Sequence, residues 1–172
     1  MKSILVATDG SVLSGKALAR AIDMAKQFDA ALTIVNVLDV IPVGQSLKRF
    51  VQAELPATTL QPLPLPLLSR YGISTLDGVE TLDAQSGAVA QLVSDRILAD
   101  AEATAEAAGI RDVHTVSASG DPAQQIVAVA KAAGADLVVV GRRGLSGLNE
   151  LVLGSVSQKV LHHIAADVLV VA

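Results

Sequence analysis

The chain has 172 residues, of which 51% are hydrophobic, and it carries a formal net charge of −4. It contains no cysteine, which excludes disulfides and thiolate metal sites, and its acidic balance and 2% aromatic content argue against a nucleic-acid-binding surface. We expect one domain over residues 1–172, in the cytoplasm, with neither a secretory signal nor the run of about 18 apolar residues that crosses a membrane.

The first segments of the chain predict a βαβ unit. The apolar run at residues 4–7 (ILVA) predicts a strand buried on both faces, which ends at a turn formed by residues 8–11. From Ser14 onward, apolar residues recur at helical spacing, and the side chains expected to face inward are Leu18, Ala21, Ile22, Ala25 and Phe28. Residues 31–38 (ALTIVNVL) are rich in β-branched residues and predict the second strand.

The middle of the chain has a different composition. Five of the six prolines lie between Pro42 and Pro66, which rules out a regular helix or a central strand there. We interpret residues 41–82 as an apolar, Pro-rich insertion. It is either a lid or partner-binding surface, or a loop packed on its own domain. A helix over residues 83–108 is predicted to follow, and its expected inward side chains are Val89, Leu92, Val93, Ile97 and Ala101.

The second half of the chain predicts further strands and helices. Residues 113–118 predict a strand, after which Asp121 caps a helix, with Pro122 at its first position and Gln124 completing a capping box. Gly134 is expected to end that helix. Residues 136–140 predict a buried strand, residues 141–154 form a Gly-rich stretch, Ser155 is predicted to cap a helix, and residues 168–171 predict the last strand.

This alternation of apolar strands and helices predicts an α/β protein whose parallel sheet is covered on both faces. The order of the strands does not follow from these patterns. Ligands of such sheets bind at the carboxyl ends of the strands, so the loops that follow Ala7 and Val140 are the candidate site.

The loop after Val140 could hold phosphate. Gly141 and Gly144 let the backbone approach a ligand, and Gly154 and Ser155 lie at a helix start, where N–H groups favour an anion. The hydroxyls of Ser155 and Ser157 could donate as well. The alternative is an ordinary turn with an ordinary cap, and the ending of a Walker P-loop is absent.

The turn after Ala7 supplies a carboxylate. Asp9 could accept hydrogen bonds from ribose hydroxyls or from an adenine amino group. The alternative is that Asp9 caps the turn itself, and local chemistry does not decide between the two roles.

Taken in order, these motifs resemble the universal stress protein family. The resemblance rests on VATDGS at residues 6–11, on Gly120-Asp121-Pro122, on the spacing of Gly141, Gly144 and Gly154-Ser155, and on the closing strand at residues 168–171. It covers residues 1–40 and about 85–172. It implies a five-stranded parallel sheet of order 3-2-1-4-5, a Rossmann-like sandwich of the adenine nucleotide alpha hydrolase type.

The resemblance also implies the ligand and the residues that bind it. The intact glycine spacing is that of the ATP-binding branch, so ATP with Mg²⁺ is the expected ligand, with ADP and AMP as alternatives. Asp9 would contact the nucleoside beside Ala7 and Thr8, and Val37 would bind adenine through its backbone. The residues implied around the ribose and phosphates are Val140, Gly141, Gly144, Gly154, Ser155, Val156 and Ser157.

A homodimer is expected through the last strand, Val168, Leu169, Val170 and Val171, because the family commonly pairs there and an apolar edge strand invites pairing. We expect Gly141→Val to block nucleotide binding by placing a side chain in the path of ribose or phosphate. We expect neither a nucleic-acid partner nor a membrane-spanning segment.

An enzyme is not expected. His162 and His163 are adjacent on a helix, His114 is alone in a strand, and none has an acid at the spacing of a triad. We therefore expect a nucleotide-dependent regulator of the stress response with at most slow ATP hydrolysis. The alternative function is an interaction protein that binds no nucleotide and works through the Pro-rich insertion.

Overall fold

A computed structural model describes residues 1–38, 86–143 and 153–172. Strands and helices alternate along most of these residues, which is the pattern that the sequence predicts. In chain order the elements are β1 (Ser3–Ala7), α1 (Val12–Phe28), β2 (Ala31–Leu38), α2 (Ser86–Ala107), β3 (Val113–Ser119), α3 (Pro122–Ala132), β4 (Leu137–Gly141), α4 (Ser155–His163) and β5 (Asp167–Val171).

The five strands form one sheet of order β3-β2-β1-β4-β5, and every neighbouring pair is parallel. The predicted fold class and the strand order implied by the family resemblance are therefore confirmed. The chain moves outward from β1 in one direction through β2 and β3, and in the other through β4 and β5. β1 and β4 are thus adjacent where the direction of the connections reverses, which opens a crevice at their carboxyl ends.

Helices cover both faces of the sheet. On one face, α1 and α2 pack on Ile4, Val6 and Ile34, and on the other α3 and α4 pack on Leu5 and Val35. Successive residues of a strand point to opposite faces of the sheet. An uninterrupted apolar run such as that of β1 is therefore buried on both faces. Aliphatic side chains and alanines make up both layers of the core.

The predicted inward face of α1 is largely confirmed, but Phe28 is wrong. Leu18, Ala21, Ile22 and Ala25 are buried, whereas Phe28 is 46% exposed. Phe28 is the last residue of the helix, and the left-handed residue Asp29 ends the helix directly after it.

The inward face of α2 is shifted from the prediction. Leu92 is 68% exposed, and the fully buried position beside it is Ser94, whose hydroxyl lies 3.0 Å from that of Ser117 on β3. Hydrophobic periodicity cannot find a buried serine, which explains the error. Of the other predicted side chains, Ala101 is buried, while Val93 and Ile97 are half-buried. The side chain of Val89 lies outside the described residues.

One predicted helix cap is confirmed and one is wrong. The Asp121 carboxylate accepts a hydrogen bond from the backbone N–H of Gln124 (3.0 Å), and Pro122 is the first residue of α3. Ser155 is instead the first residue of α4, and Gly154 occupies the capping position. The extended backbone of Gly154, not a hydroxyl, starts that helix.

The predicted insertion at residues 41–82 and Gly144 lie outside the described residues. Within the ranges that are described, no helix is both long and apolar enough to cross a membrane.

Candidate functional site

Thr8, the first residue after β1, has each of its polar groups engaged within the protein. Its N–H donates to Val35 O (2.9 Å), and its carbonyl oxygen accepts from Asn36 Nδ2 (2.7 Å). Its hydroxyl donates to Ser14 Oγ (3.2 Å) and accepts from the N–H of Gly10 (3.3 Å). Thr8 is 8% exposed. Its side chain therefore fixes the turn, and contact with a ligand remains a prediction for this residue.

The rest of this turn is built from side-chain caps. Asp9 Oδ1 accepts from the N–H of Ser11 (3.0 Å), and Ser11 Oγ caps α1 by accepting from the N–H of Ser14 (3.2 Å). Asp9 therefore does cap its own turn, the alternative that the sequence left open. Capping this turn and contacting a ligand are compatible roles, because a carboxylate has two oxygens and several lone pairs.

The end of β2 presents backbone groups to the same edge of the sheet. In a parallel strand, the N–H and C=O of alternate residues point to the same neighbouring strand. Ala31 donates to Lys2 O and Val35 accepts from Thr8, so the odd-numbered residues of β2 face β1. β1 pairs with β2 only as far as Ala7 and Val35. The backbone of Val37 is consequently directed past the end of β1, toward the crevice.

The other side of the crevice is formed where β4 ends and α4 begins. Arg142 N–H donates to Val171 O on β5, and Arg142 O accepts from the N–H of Gly154 (2.9 Å). Ser157 Oγ donates to Gly141 O (2.8 Å) and lies 3.4 Å from Arg142 O. The start of α4 is thus fastened to the end of β4. The Ser157 hydroxyl, predicted as a phosphate donor, is occupied by this bond.

The N-terminus of α4 is suited to an anion. Gly154 has φ −63° and ψ 150° and no side chain with which to cap the helix, so a hydroxyl or carboxylate does not compete at that position. The first N–H groups of a helix have no intrahelical partner. Those of Ser155, Val156 and Ser157 open α4, and the helix dipole adds to their attraction for negative charge. Ser155 is exposed, Val156 is half-buried and Ser157 is buried.

Two glycines of this region lie close to the backbone of the same chain. A Cβ atom on Gly141 would lie 3.0 Å from Arg143 O and 3.4 Å from the backbone of Leu13. One on Gly154 would lie 3.1 Å from Arg142 O and 3.3 Å from Arg143 Cα. The expectation that Gly141→Val blocks the ligand path stays a prediction, and the structure adds that the new side chain would also crowd the backbone of this chain.

The structure brings most of the predicted site residues to one edge of the sheet. We define the switch-point crevice as the space between the turn at residues 8–11, the end of β2 at Val37, and the junction of β4 and α4 at Gly141, Arg142 and Gly154. Ala7, Thr8 and Asp9 lie on one side of it, and Gly154, Ser155, Val156 and Ser157 lie on the other. Val140 is buried (3% exposed) next to Gly141 on β4. The predicted Gly144 lies outside the described part of the chain.

Sequence reasoning missed two residues that build this site. Asn36 holds the Thr8 carbonyl, and Ser14 accepts from the Thr8 hydroxyl. The signal in the sequence was a polar residue at a position expected to be apolar. Asn36 lies inside the apolar run of β2, and Ser14 lies on the buried face of α1.

Outside the crevice, the Asp121 carboxylate joins two helices. Its Oδ2 accepts from Lys159 Nζ at 3.0 Å, which links the start of α3 to α4. The N–H of Gln124 and then the Lys159 ammonium group hold the pKa of the Asp121 carboxyl below its ordinary value, because both stabilise the charged form. This pair lies in a shallow groove between α3 and α4, whose other polar lining includes Lys131 and His163.

Comparison with known proteins follows the same lines. The universal stress protein family model matches residues 1–172. Universal stress protein YxiE of Bacillus subtilis is 34% identical over 169 residues, which are 98% of this chain and 97% of that protein. A universal stress protein of Methanocaldococcus jannaschii is 34% identical over 171 residues, which are 99% of this chain and 81% of that protein.

Solved structures share the fold. A universal stress protein in complex with cAMP is 27% identical with a TM-score of 0.62, covering 99% of this chain and 97% of that one. A universal stress protein of Archaeoglobus fulgidus in complex with dAMP is 17% identical with a TM-score of 0.53, covering 100% of this chain and 98% of that one. The family match over the whole chain and the sequence identity to named relatives agree with the five-stranded sheet: this chain belongs to the universal stress protein family.

Proposed function

We propose that this universal stress protein binds an adenine nucleotide, ATP with Mg²⁺, in the switch-point crevice and acts as a nucleotide-dependent regulator in the stress response. The observation that carries the proposal is the convergence of three kinds of group at the carboxyl edge of the sheet: the Asp9 carboxylate, the outward-facing backbone of Val37, and the N-terminus of α4. A carboxylate suits ribose hydroxyls, a strand backbone suits the edge of adenine, and helix N–H groups suit phosphates.

The related structure in complex with cAMP supports the choice of an adenine nucleotide as the ligand class. The residues present fit such a ligand. The amides of Ser155, Val156 and Ser157 would hold phosphate, and Gly154 keeps the helix start free of a capping side chain. ATP is preferred over AMP because the glycine spacing resembles that of the ATP-binding branch of the family.

Magnesium would arrive with the nucleotide. Within residues 1–38, 86–143 and 153–172, no three His, Asp or Glu side chains form a group that could hold a metal ion. We propose that phosphate oxygens and water supply most of the ligands of Mg²⁺, which usually keeps several waters and binds through substrate phosphates and one or two carboxylates.

We propose a regulator with at most slow ATP hydrolysis. His114 lies near the beginning of β3, where its Nε2 is 3.0 Å from Asp112 Oδ1. His162 and His163 lie in the last turn of α4, which leads into the beginning of β5. All three histidines therefore lie toward the amino edge of the sheet, opposite the switch-point crevice. Their placement supports a site without a histidine general base.

We also propose a homodimer that forms through β5. In the described sheet β5 pairs with β4 on one side, and Val168, Leu169, Val170 and Val171 are half-buried in the single chain. Bonds to β4 engage Asp167 and Val171, so alternation directs the backbone of Val168 and Val170 outward. An apolar strand edge of this kind is well suited to pairing with a second copy.

Calorimetric titration tests the nucleotide proposal. The purified protein, stripped of nucleotide, is titrated with Mg-ATP, Mg-ADP, AMP and cAMP. Asp9→Asn is expected to weaken ATP binding about 10- to 100-fold, since hydrogen bonds to a charged acceptor contribute about 1.5–3 kcal/mol. Asp23→Asn is the matched control, because Asp23 is an exposed carboxylate on α1 that pairs with Arg20 at 3.8 Å, and we expect it to leave the affinity unchanged.

The pattern of affinities distinguishes the ligands. Tighter binding of ATP than of AMP would support phosphate recognition by α4, while equal affinities would restrict recognition to the nucleoside. Absence of binding to any of the four by folded protein would overturn the proposal. It would also favour the interaction protein that works through residues 41–82.

A further inference from the structure

Asn36 is a buried amide in a strand that is otherwise almost entirely apolar. It is 5% exposed, and it interrupts the run ALTIVNVL immediately before Val37. A buried amide costs free energy unless it is hydrogen-bonded. The Nδ2 group of Asn36 donates to Thr8 O at 2.7 Å, so the side chain crosses from β2 to the turn that carries Asp9.

This bond takes the place of the next step in the sheet. The backbone bonds between β1 and β2 run as far as Thr8 N–H donating to Val35 O (2.9 Å). In a continued parallel ladder, the following bond would join the N–H of Val37 to the carbonyl oxygen of Thr8. The Asn36 amide occupies that carbonyl oxygen instead. β1 can therefore end at Ala7 without leaving the buried carbonyl of Thr8 unsatisfied.

Ending the ladder here has consequences for both components of the site. The chain is free to turn after Thr8, and that turn carries Asp9, whose Oδ1 accepts from Ser11. The backbone of Val37 is left directed at the crevice and is not used up by β1. A single side chain thus prepares the carboxylate on one strand end and the backbone on the next.

We propose that Asn36 is a positioning residue of the nucleotide site: by capping the Thr8 carbonyl it ends the β1–β2 ladder, holds the Asp9 turn and reserves the Val37 backbone for the adenine base. This inference rests on the proposed function for its ligand, and it adds a residue and a mechanism that the resemblance did not supply. The structural part of the proposal, that Asn36 supports the Asp9 turn, is testable without any ligand.

Amide hydrogen exchange tests the support of the turn. Asn36→Leu removes the donor, and we expect the N–H groups of Gly10 and Ser11 to exchange at least about tenfold faster, because their bonds within the turn lose their anchor. Thr33→Val is the matched control, since Thr33 is another buried polar residue of β2 (5% exposed) that lies in the middle of the strand. We expect unchanged exchange at the turn in that variant.

A double-mutant cycle tests the action on the site. Asn36→Leu and Asp9→Asn are each expected to weaken Mg-ATP binding about tenfold or more. Because part of the Asn36 effect passes through the Asp9 turn, the loss in the double variant is expected to be at least about threefold smaller than the product of the two single losses. A merely structural role would give additive losses. Asn36→Val, which lacks the donor and introduces no charge, is the second variant should Asn36→Leu fold poorly, and the same coupling is expected from it.

The outcomes separate the two proposals. If the wild type binds ATP while the Asn36 variants bind it equally well, or if the losses are additive, the role of Asn36 is overturned and the proposed function stands. If the wild type binds no nucleotide, the proposed function fails and the ligand role of Asn36 fails with it. Unchanged exchange at Gly10 and Ser11 in Asn36→Leu overturns the structural part in either case.

Discussion

The Ser157 hydroxyl donates a hydrogen bond to the carbonyl oxygen of Gly141 across 2.8 Å, which joins the first turn of α4 to the last residue of β4. The serine is 4% exposed, whereas Ser155, two residues earlier, is exposed. The two hydroxyls therefore have different roles, although the sequence suggested the same one for both. Ser157 positions the helix start, and for the exposed Ser155 contact with a ligand stays a prediction.

The difference between these serines predicts that removing their hydroxyls changes stability by different amounts. Ser157→Ala is expected to lower the free energy of unfolding by about 1–2 kcal/mol, because it leaves the part-buried carbonyl of Gly141 without its donor. Ser155→Ala is expected to change it by less than about 0.5 kcal/mol, as is usual for an exposed side chain. Urea unfolding of both variants measures this. Equal stabilities would contradict the structural role of Ser157.

The glycines predict a second contrast. Gly141→Ala is expected to cost about 1–3 kcal/mol, because the added methyl group lies 3.0 Å from Arg143 O and the backbone must shift. Gly15→Ala is the control, since nothing lies within 4 Å of a Cβ at that position on α1, and a gain of about 0.5–1 kcal/mol is expected. Thermal unfolding compares the two. A Gly141→Ala protein as stable as Gly15→Ala would contradict the close approach.

The edge of β5 predicts which substitution would weaken the proposed dimer. Val170→Pro removes an N–H that faces away from β4, so the sheet within the chain should persist. Dimer dissociation is expected to become at least about tenfold more favourable, since an intermolecular bond is lost and the proline ring obstructs pairing. Thr115→Pro is the matched control on β3, the opposite edge, where the backbone of Thr115 also points outward.

Sedimentation velocity of the Val170→Pro and Thr115→Pro variants, together with circular dichroism, completes the test. Dimers that persist in a folded Val170→Pro protein would place the interface elsewhere. Dissociation of both variants to the same degree would show that the effect does not belong to β5.

Acid stability is expected to depend on Asp121. Its pKa is lower in the folded protein than its ordinary value of 3.8, because Gln124 N–H and Lys159 stabilise the carboxylate. A lowered folded pKa contributes stability that is fully present above 3.8 and is lost as the pH falls through the folded value. Asp121→Asn can still cap α3, so its unfolding free energy should fall less between neutral pH and pH values below 3.8. Denaturant unfolding of the wild type and of Asp121→Asn measures this over that pH range. An equal loss of unfolding free energy in the two proteins would contradict the assignment.

Much of this fold could be predicted from the sequence, and the correct predictions rest on local sequence signals. The strand at Ala31–Leu38 was predicted with its observed ends, because a run rich in β-branched residues favours a strand. The cap at Asp121 was predicted because its signature is local. The strand order came from the resemblance, since pairing is decided by contacts between residues that are far apart in the chain.

The errors arise where a polar group is satisfied by a distant partner. Ser94 can be fully buried because its hydroxyl forms a hydrogen bond with that of Ser117 on β3. The hydrophobic pattern of α2 alone predicts that Leu92 faces inward instead. Asn36 was passed over as a site residue for the same reason, because its partner Thr8 lies on another strand. For the candidate site, the sequence identified the loops, and the structure distinguished which side chains hold those loops together.

The measurement that tests the central claim most directly is the change in backbone amide resonances of the ¹⁵N-labelled protein when Mg-ATP is added. Binding in the switch-point crevice predicts the largest shifts at Asp9, Val37 and the amides of Ser155–Ser157. It predicts little change at His114 and His162, which lie toward the opposite edge of the sheet. Saturable shifts centred on the groove between α3 and α4, or no shifts at all, would contradict it.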